Sequence, residues 1–155
     1  AAKCVIEMAE KKPEMTFWFM GSMCDHPDLR YLPENILSLG VLSPEEKAIV
    51  MGAVAVGLNP IEHGSGTNLK LLDYIASGVP AITTRFGNRG LDFIHNQELI
   101  ECELADFPDA IHNLLSMPDK LVDEMTSRAR QKAADLFDWS VLAKALSSAL
   151  MKKSH

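Results

Sequence analysis

Short apolar runs alternate with amphipathic segments along the first two thirds of the chain. The runs are of strand length and lie at residues 16–20, 36–39, 53–58, 80–84 and 99–102. The segments between them carry apolar residues at three- and four-residue spacing, which is typical of helices, and lie at 1–10, 44–51 and 68–77. Strands that alternate with helices predict a Rossmann-like α/β fold, with one parallel sheet and helices on both faces.

The last third of the chain has the periodicity of helices alone. Apolar residues recur at helical spacing over 107–115, 120–137 and 139–151, and Pro108 and Pro118 stand near helix starts. The pattern therefore predicts a helical C-terminal tail. The 155 residues, 47% of them hydrophobic, are enough for one domain with a sizeable core.

The segment 58–78 joins a strand to a helix through a glycine-containing turn. Asn59 and Pro60 end the strand, because proline lacks the N–H that a ladder needs. Gly64 and Gly66 allow positive φ and a close approach of the backbone to a ligand. Free N–H groups at the start of the following helix favour a bound phosphate. The segment is therefore a candidate anion site.

The sequence predicts an N-terminal cap, a positive charge in the first turn and a C-terminal end for the helix after this turn. Ser65 or Thr67 can cap it, and Lys70 places a positive charge in its first turn. Gly78 is expected to end it, while a core-facing stripe is expected at Leu69, Leu72 and Ala76.

The same residues also have a purely structural interpretation, without a ligand. A Gly-Ser-Gly-Thr turn can be a simple connection, and Lys70 can form a surface pair with Asp73 three residues later. The spacing matches neither GxxxxGK[ST] nor GxGxxG, so the pattern indicates neither a P-loop nor a dinucleotide fingerprint.

A longer match covers the same region. The segment GSGTNLKLLDYIASGVPAITT, followed by FGNRGL, resembles the donor-binding motif of the retaining group 1 glycosyltransferases, which have the two-domain GT-B fold. The resemblance extends from FWFMGS through NILSLGVLSPEE to LFDWSVLAKAL, which is similar to the helical tail of that family. It implies that the chain is the C-terminal, nucleotide-sugar-binding half of such an enzyme.

The resemblance assigns a role to each part of the motif. The donor's diphosphate would lie against the turn and Lys70, whose charges offset the charge that grows as the sugar leaves, so Lys70 and Ser65 are the predicted catalytic residues. Asp73 would accept hydrogen bonds from the ribose, and backbone groups near Gly40 and Val41 would bind the base. The full predicted donor site is Gly40, Val41, Gly64, Ser65, Gly66, Thr67, Asn68, Lys70, Asp73 and Arg89.

Two acidic positions of the family motif differ here. Many members have a Glu, seven residues and a second Glu; Ser65 and Asp73 stand at these positions. The resemblance implies that the departing phosphate helps to deprotonate the acceptor hydroxyl. No Asp-x-Asp occurs, so we expect neither a metal nor another cofactor. The short sequence Cys24-Asp25-His26 could suggest a metal site, but a loop without ligand spacing is the better interpretation.

Charge and cysteine content narrow the possible partners. The formal net charge of −6 argues against a nucleic-acid surface. Cys4, Cys24 and Cys102 form no CxxC pair, which fits small buried side chains in a reducing compartment. The longest apolar stretch, 48–58, is too short to span a bilayer. We therefore expect a cytoplasmic protein, with the inner membrane surface as a further location of the full-length enzyme.

The resemblance also implies missing parts. An N-terminal domain would bind the acceptor, a glycan or lipid-linked sugar, and the fragment alone would not turn over. The family's first strand, expected between those at 16–20 and 53–58, is absent. Either these neighbours pair directly or they leave a slot about 9–10 Å wide, twice the strand spacing. An open slot would favour self-association of the fragment.

Two other function classes remain open at this point. A nucleotide-sugar epimerase of GT-B fold would use the same phosphate turn, although its catalytic acids are not recognisable. A noncatalytic α/β interaction domain needs no ligand. Binding of a nucleoside diphosphate would favour the glycosyltransferase or the epimerase over such a noncatalytic domain.

Overall fold

The computed structural model describes residues 2–64 and 68–138, together with positions 141 and 143. The helices are α1 Ala2–Lys11, α2 Pro44–Ala53, α3 Leu69–Ala76, α4 Arg85–Asn88, α5 Phe107–Leu115 and α6 Asp119–Phe137. The strands are β1 Phe17–Phe19, β2 Ile36–Ser38, β3 Gly57–Asn59, β4 Ala81–Thr83 and β5 Ile100–Glu101. The predicted helix 139–151 lies outside the described residues, apart from positions 141 and 143.

All strand pairs are parallel, which confirms the predicted α/β class. β1 pairs with β2, and β4 lies between β3 and β5. Helices cover both faces, as in other Rossmann-like domains. The strands form two separate ladders, because no pairing joins β1 to β3 among the described residues.

The backbone groups at the facing edges of these ladders can be assigned from their neighbours. Phe17 N–H donates to Asn35 O at 2.8 Å, on the β2 side, and Gly57 N–H donates to Pro80 O at 2.9 Å, on the β4 side. Successive residues of a strand direct their N–H and C=O groups to opposite sides. The main-chain groups of Trp18 and Leu58 therefore face the space between β1 and β3.

A cavity of about 480 Å³ occupies this space. We call it the interladder slot. Residues 15–20 and 53–61 border it, together with Met23. Side chains from α1, α2, α3 and α5 complete its lining, namely Ala2, Val5, Lys47, Met51, Lys70, Asp73, Tyr74, Ile111 and Leu115. The slot is thus enclosed mainly by apolar side chains and by the edges of two parallel strands.

The predicted core stripe of α3 was wrong. Leu71 and Ile75 are the buried residues, 0% and 2% exposed, whereas Leu69 is 67% exposed. The sequence LKLLDYIA offers apolar residues on two helical faces, and packing of α3 against β3, β4 and α6 selects one of them. Leu72 is half-buried and Ala76 is exposed.

The predicted end of α3 is confirmed. Gly78 has φ +75°, and its N–H donates to Ile75 O at 3.0 Å. Val79 N–H donates to Tyr74 O, also at 3.0 Å, so the two bonds form a Schellman motif.

The boundary between α2 and β3 differs from the prediction. Ser43 and Glu46 form the capping box that starts the helix, but α2 continues through Ala53, and β3 begins only at Gly57. Val54 N–H still donates to Val50 O at 3.1 Å. An apolar run does not distinguish a final helical turn from the start of a buried strand.

Two apolar clusters form the core. One joins α1, β1, β2 and α5 with residues of β4, β5 and α6, and includes Val5, Met8 and Ala9 of α1. The other joins α3, β4 and α6. The cysteines are half-buried against the first cluster rather than fully buried, and all are free thiols.

The slot predicts a pattern of amide exchange. In the 155-residue chain, the amides of Trp18 and Leu58 should exchange faster with solvent deuterium than those of Phe17 and Gly57, because only the latter two bond to a neighbouring strand. Two-dimensional NMR of the exchanging protein measures this. Equal protection within each pair would show that β1 and β3 are bridged.

Gly57 provides a steric test of the packing beside the slot. A Cβ atom at this position would lie 2.6 Å from Cγ of Tyr74, so Gly57→Ala should lower the free energy of unfolding by about 1–3 kcal/mol through overpacking. Gly52→Ala, in α2, meets nothing within 4 Å and should instead add about 0.5–1 kcal/mol. Urea unfolding compares the two variants, and equal effects would contradict the Tyr74 contact.

Candidate functional site

A buried polar pair supports the carboxyl ends of β3 and β4. Asn59 and Thr83, 2% and 0% exposed, face each other across the ladder. Asn59 Nδ2 donates to Thr83 Oγ1 at 2.8 Å, and the Thr83 hydroxyl contacts Thr84 O at 3.2 Å. Buried polar groups need such partners to offset desolvation. This pair therefore fixes the relative positions of the loops that follow β3 and β4.

Thr84 extends this support into both loops. Its hydroxyl donates to Ile61 O, in the loop after β3. The same oxygen accepts from Gly87 N–H at 3.0 Å and caps α4. A Cβ at Gly87 would collide with the Thr83 hydroxyl and lie 2.5 Å from Asn59 Nδ2. Only glycine fits there.

The two loops also meet at their outer ends. Asn68 Nδ2 donates to Gly87 O at 3.3 Å, and Arg89 Nη2 donates to Gly64 O at 3.1 Å. The Arg89 guanidinium stacks 3.9 Å from the centre of the Phe86 ring. The structure thus brings together Gly64, Asn68 and Arg89 of the predicted site. Ser65, Gly66 and Thr67 lie between Gly64 and Asn68, outside the described residues.

Lys70 occupies the first turn of α3, as predicted, and lines the interladder slot. Asp73 follows one turn later but does not pair with Lys70. Its Oδ2 lies 2.5 Å from Nζ of Lys47 on α2. The sequence interpretation missed Lys47, although α2 and α3 both begin after parallel strands, which places their first turns at the same edge of the fold.

Gly40 and Val41 follow β2 and form a separate cluster with Gly21, which follows β1. Gly40 has φ +66°, and its carbonyl accepts from Gly21 N–H at 2.7 Å. The Val41 side chain is exposed. No hydrogen bond between described residues connects this cluster to the Gly64 loop.

Two groups near the sites have perturbed acidities. Burial, followed by the charge of Asp73, raises the pKa of Tyr74, whose hydroxyl lies 3.4 Å from Leu58 O. Burial, with smaller contributions from Asp106, Glu103 and Glu101, raises the pKa of Cys102 to about 11. The thiol of Cys102 is therefore protonated at neutral pH.

Metal-binding clusters and membrane-spanning helices are both absent from the described residues. These residues contain no group of three or more His, Cys, Asp or Glu side chains able to hold a metal ion. No helix within them is long and apolar enough to cross a membrane.

Comparison with known families gives one match. The family model for glycosyl transferases group 1 matches residues 1–117, three quarters of the chain. The chain belongs to this family. The match confirms the resemblance found in the sequence motif. No curated protein matches the chain.

Several solved structures have the same fold. HepE of Anabaena, solved with UDP and glucose, has a TM-score of 0.78 and 12% identity, over 97% of this chain and 44% of HepE. Sucrose-phosphate synthase of Thermosynechococcus elongatus has a TM-score of 0.77 and 16% identity, over 97% of this chain and 41% of the synthase.

A third structure is itself a single domain. It is the C-terminal domain of a group 1 family protein, LpcC of Francisella tularensis, with a TM-score of 0.66 and 16% identity over 88% of this chain and 77% of that one. The present chain thus spans less than half the length of HepE and of the synthase.

The half-buried phenol of Tyr74 gives this glycosyl transferase domain a testable pH dependence. Its folded-state pKa is raised, so above pH 10.0, the usual tyrosine value, the unfolded chain loses a proton that the folded chain keeps. Stability should therefore fall as pH rises above 10, and this fall should be smaller in Tyr74→Phe. Urea unfolding between pH 8 and about 11 tests it.

The matched control for this experiment is Tyr31→Phe. Tyr31 is the other tyrosine of the chain and is 94% exposed. This variant should follow the wild-type pH profile. Identical profiles for Tyr74→Phe and Tyr31→Phe would contradict the raised pKa of the half-buried Tyr74 in the folded protein.

Proposed function

We propose that this chain is the nucleotide-sugar-binding domain of a retaining glycosyltransferase, which transfers a sugar from a nucleoside-diphosphate donor to an acceptor hydroxyl. The observation that carries the proposal is the convergence of Gly64, Asn68, Gly87 and Arg89 at the start of α3, in a chain of the glycosyl transferases group 1 family. HepE, which has this fold, was solved with UDP and UDP-glucose.

The donor's diphosphate fits the start of α3. There the helix dipole and free N–H groups favour an anion, and Lys70 adds a full charge. We propose the turn at 64–67, with Ser65, and Lys70 as the groups that offset the charge left on the diphosphate when the sugar departs. With these N–H groups and the Lys70 ammonium against the diphosphate, the site needs no metal ion. Arg89, which holds the Gly64 carbonyl, would keep the turn in place.

The ribose and base are proposed to extend from this point. Asp73 has a second carboxylate oxygen besides the one that faces Lys47, and it can accept from a ribose hydroxyl. Gly40 and Val41, which follow β2, are on the side where a base would lie. The domain would then bind the whole donor along the carboxyl edge of the strands.

The acceptor would be held by another domain of a longer protein. HepE, which has the same fold, is more than twice the length of the matched region. We propose that this other domain binds an acceptor glycan or lipid-linked sugar on the cytoplasmic side. The 155-residue chain alone would bind the nucleotide-sugar donor without turnover.

We also propose that main chain preceding α1 supplies a parallel strand to the interladder slot. Ala2, in the first turn of α1, lines the slot, and α1 leads directly into β1, which borders it. A helix that follows one strand and feeds the adjacent parallel strand is the usual right-handed crossover. Such a strand would bond to the main-chain groups of Trp18 and Leu58.

The proposed function predicts binding of a nucleoside diphosphate at Lys70. Titration calorimetry of the 155-residue chain with UDP, GDP, ADP and dTDP should detect binding of at least one of them. Lys70→Ala should weaken it by about 1.5–3 kcal/mol, the size of a charge-assisted hydrogen bond. Addition of EDTA should leave the affinity unchanged.

Lys120→Ala is the matched control. Lys120 is exposed on α6, which does not line the slot, so this variant should retain wild-type affinity. If none of the four diphosphates binds, or if the two lysine variants bind equally well, the site proposed at α3 is wrong.

A further inference from the structure

Three charged groups from two helices lie together beside the start of α3. Lys70 and Asp73 come from α3 and Lys47 from α2, and all three line the interladder slot. Asp73 can reach two ammonium groups: that of Lys47 across the helix interface, and that of Lys70 three residues earlier on its own helix. The choice between them decides the net charge that a ligand meets at Lys70.

The structure shows which partner Asp73 takes. Its Oδ2 lies 2.5 Å from Lys47 Nζ, with side-chain exposures of 38% for Lys47 and 43% for Asp73. Within residues 2–64 and 68–138, Lys70 has no carboxylate within 4 Å. The positive charge of Lys70 therefore remains uncompensated, and the Lys47–Asp73 pair is neutral as a whole.

We propose that Lys47 is a positioning residue of the donor site, which holds the Asp73 carboxylate away from Lys70 and so keeps Lys70 available for an anion. The proposal rests on the proposed function only in that the anion is the donor's diphosphate. Without Lys47, the Asp73 side chain would turn to Lys70, and its charge would cancel the cation at the start of α3.

A ligand-free experiment tests the arrangement of charges directly. In the 155-residue chain labelled with ¹⁵N-lysine, Asp73→Asn should leave the Lys70 ammonium signal unchanged in the wild-type background. In the Lys47→Met background the same substitution should shift that signal, because Asp73 is then paired with Lys70. No shift in either background, or a shift in both, would overturn the proposal, whether or not the domain binds nucleotides.

A binding cycle then tests the consequence, with inorganic diphosphate as the probe. Lys47→Met should weaken binding about five- to tenfold, the effect of one additional charge near the ligand. Lys47→Met with Asp73→Asn should restore wild-type affinity, because no carboxylate remains to cancel Lys70. Circular dichroism should confirm that each variant is folded.

The pattern of failures separates the two proposals. If the double variant binds as weakly as Lys47→Met, Lys47 contacts the anion itself and the positioning role is wrong. If Lys47→Met binds as well as wild type, the role is also wrong. If the wild-type chain binds neither inorganic diphosphate nor nucleoside diphosphates while the NMR result holds, the charge arrangement stands and the proposed function fails.

Discussion

The buried hydrogen bond between Asn59 and Thr83 is the constraint on which the site depends. It joins the last residues of β3 and β4 at 2.8 Å, with no exposure to solvent at Thr83. A buried amide or hydroxyl that lost its partner would carry an uncompensated desolvation cost of about 1–3 kcal/mol. The carboxyl ends of β3 and β4 are therefore fixed relative to each other. The loops that follow the two strands start from these fixed positions.

The two loops after these strands are then tied to each other rather than to the core. Thr84 binds Ile61 O and caps α4, Asn68 reaches Gly87 O, and Arg89 reaches Gly64 O. Backbone carbonyls accept most of these bonds. The donors are the side chains of Thr84, Asn68 and Arg89 and the N–H of Gly87, so none of these bonds uses a main-chain N–H from the start of α3.

Sequence patterns predicted the classes of the elements better than their faces and boundaries. The alternation of apolar runs and helical segments was sufficient for the parallel α/β fold, and Gly78 was sufficient for the end of α3. The buried face of α3 could not be predicted, because Leu69, Leu71 and Leu72 permit two faces and only packing against β3, β4 and α6 decides between them. The Asn59–Thr83 pair was missed because short polar residues at strand ends usually indicate a turn.

The partners of ion pairs are even harder to predict from sequence than the buried face of a helix. From sequence alone, Asp73 has Lys70 as its neighbour, since residues three apart share a helix face. The partner it takes is 26 positions away in the chain, on α2. Both helices border the interladder slot, so the pairing depends on how closely α2 and α3 approach over the unpaired edges of β1 and β3. A strand inserted into that slot would therefore act on the Lys47–Asp73 pair through the helices that cover it. The spacing of the two ladders and the charge environment of Lys70 are thus linked.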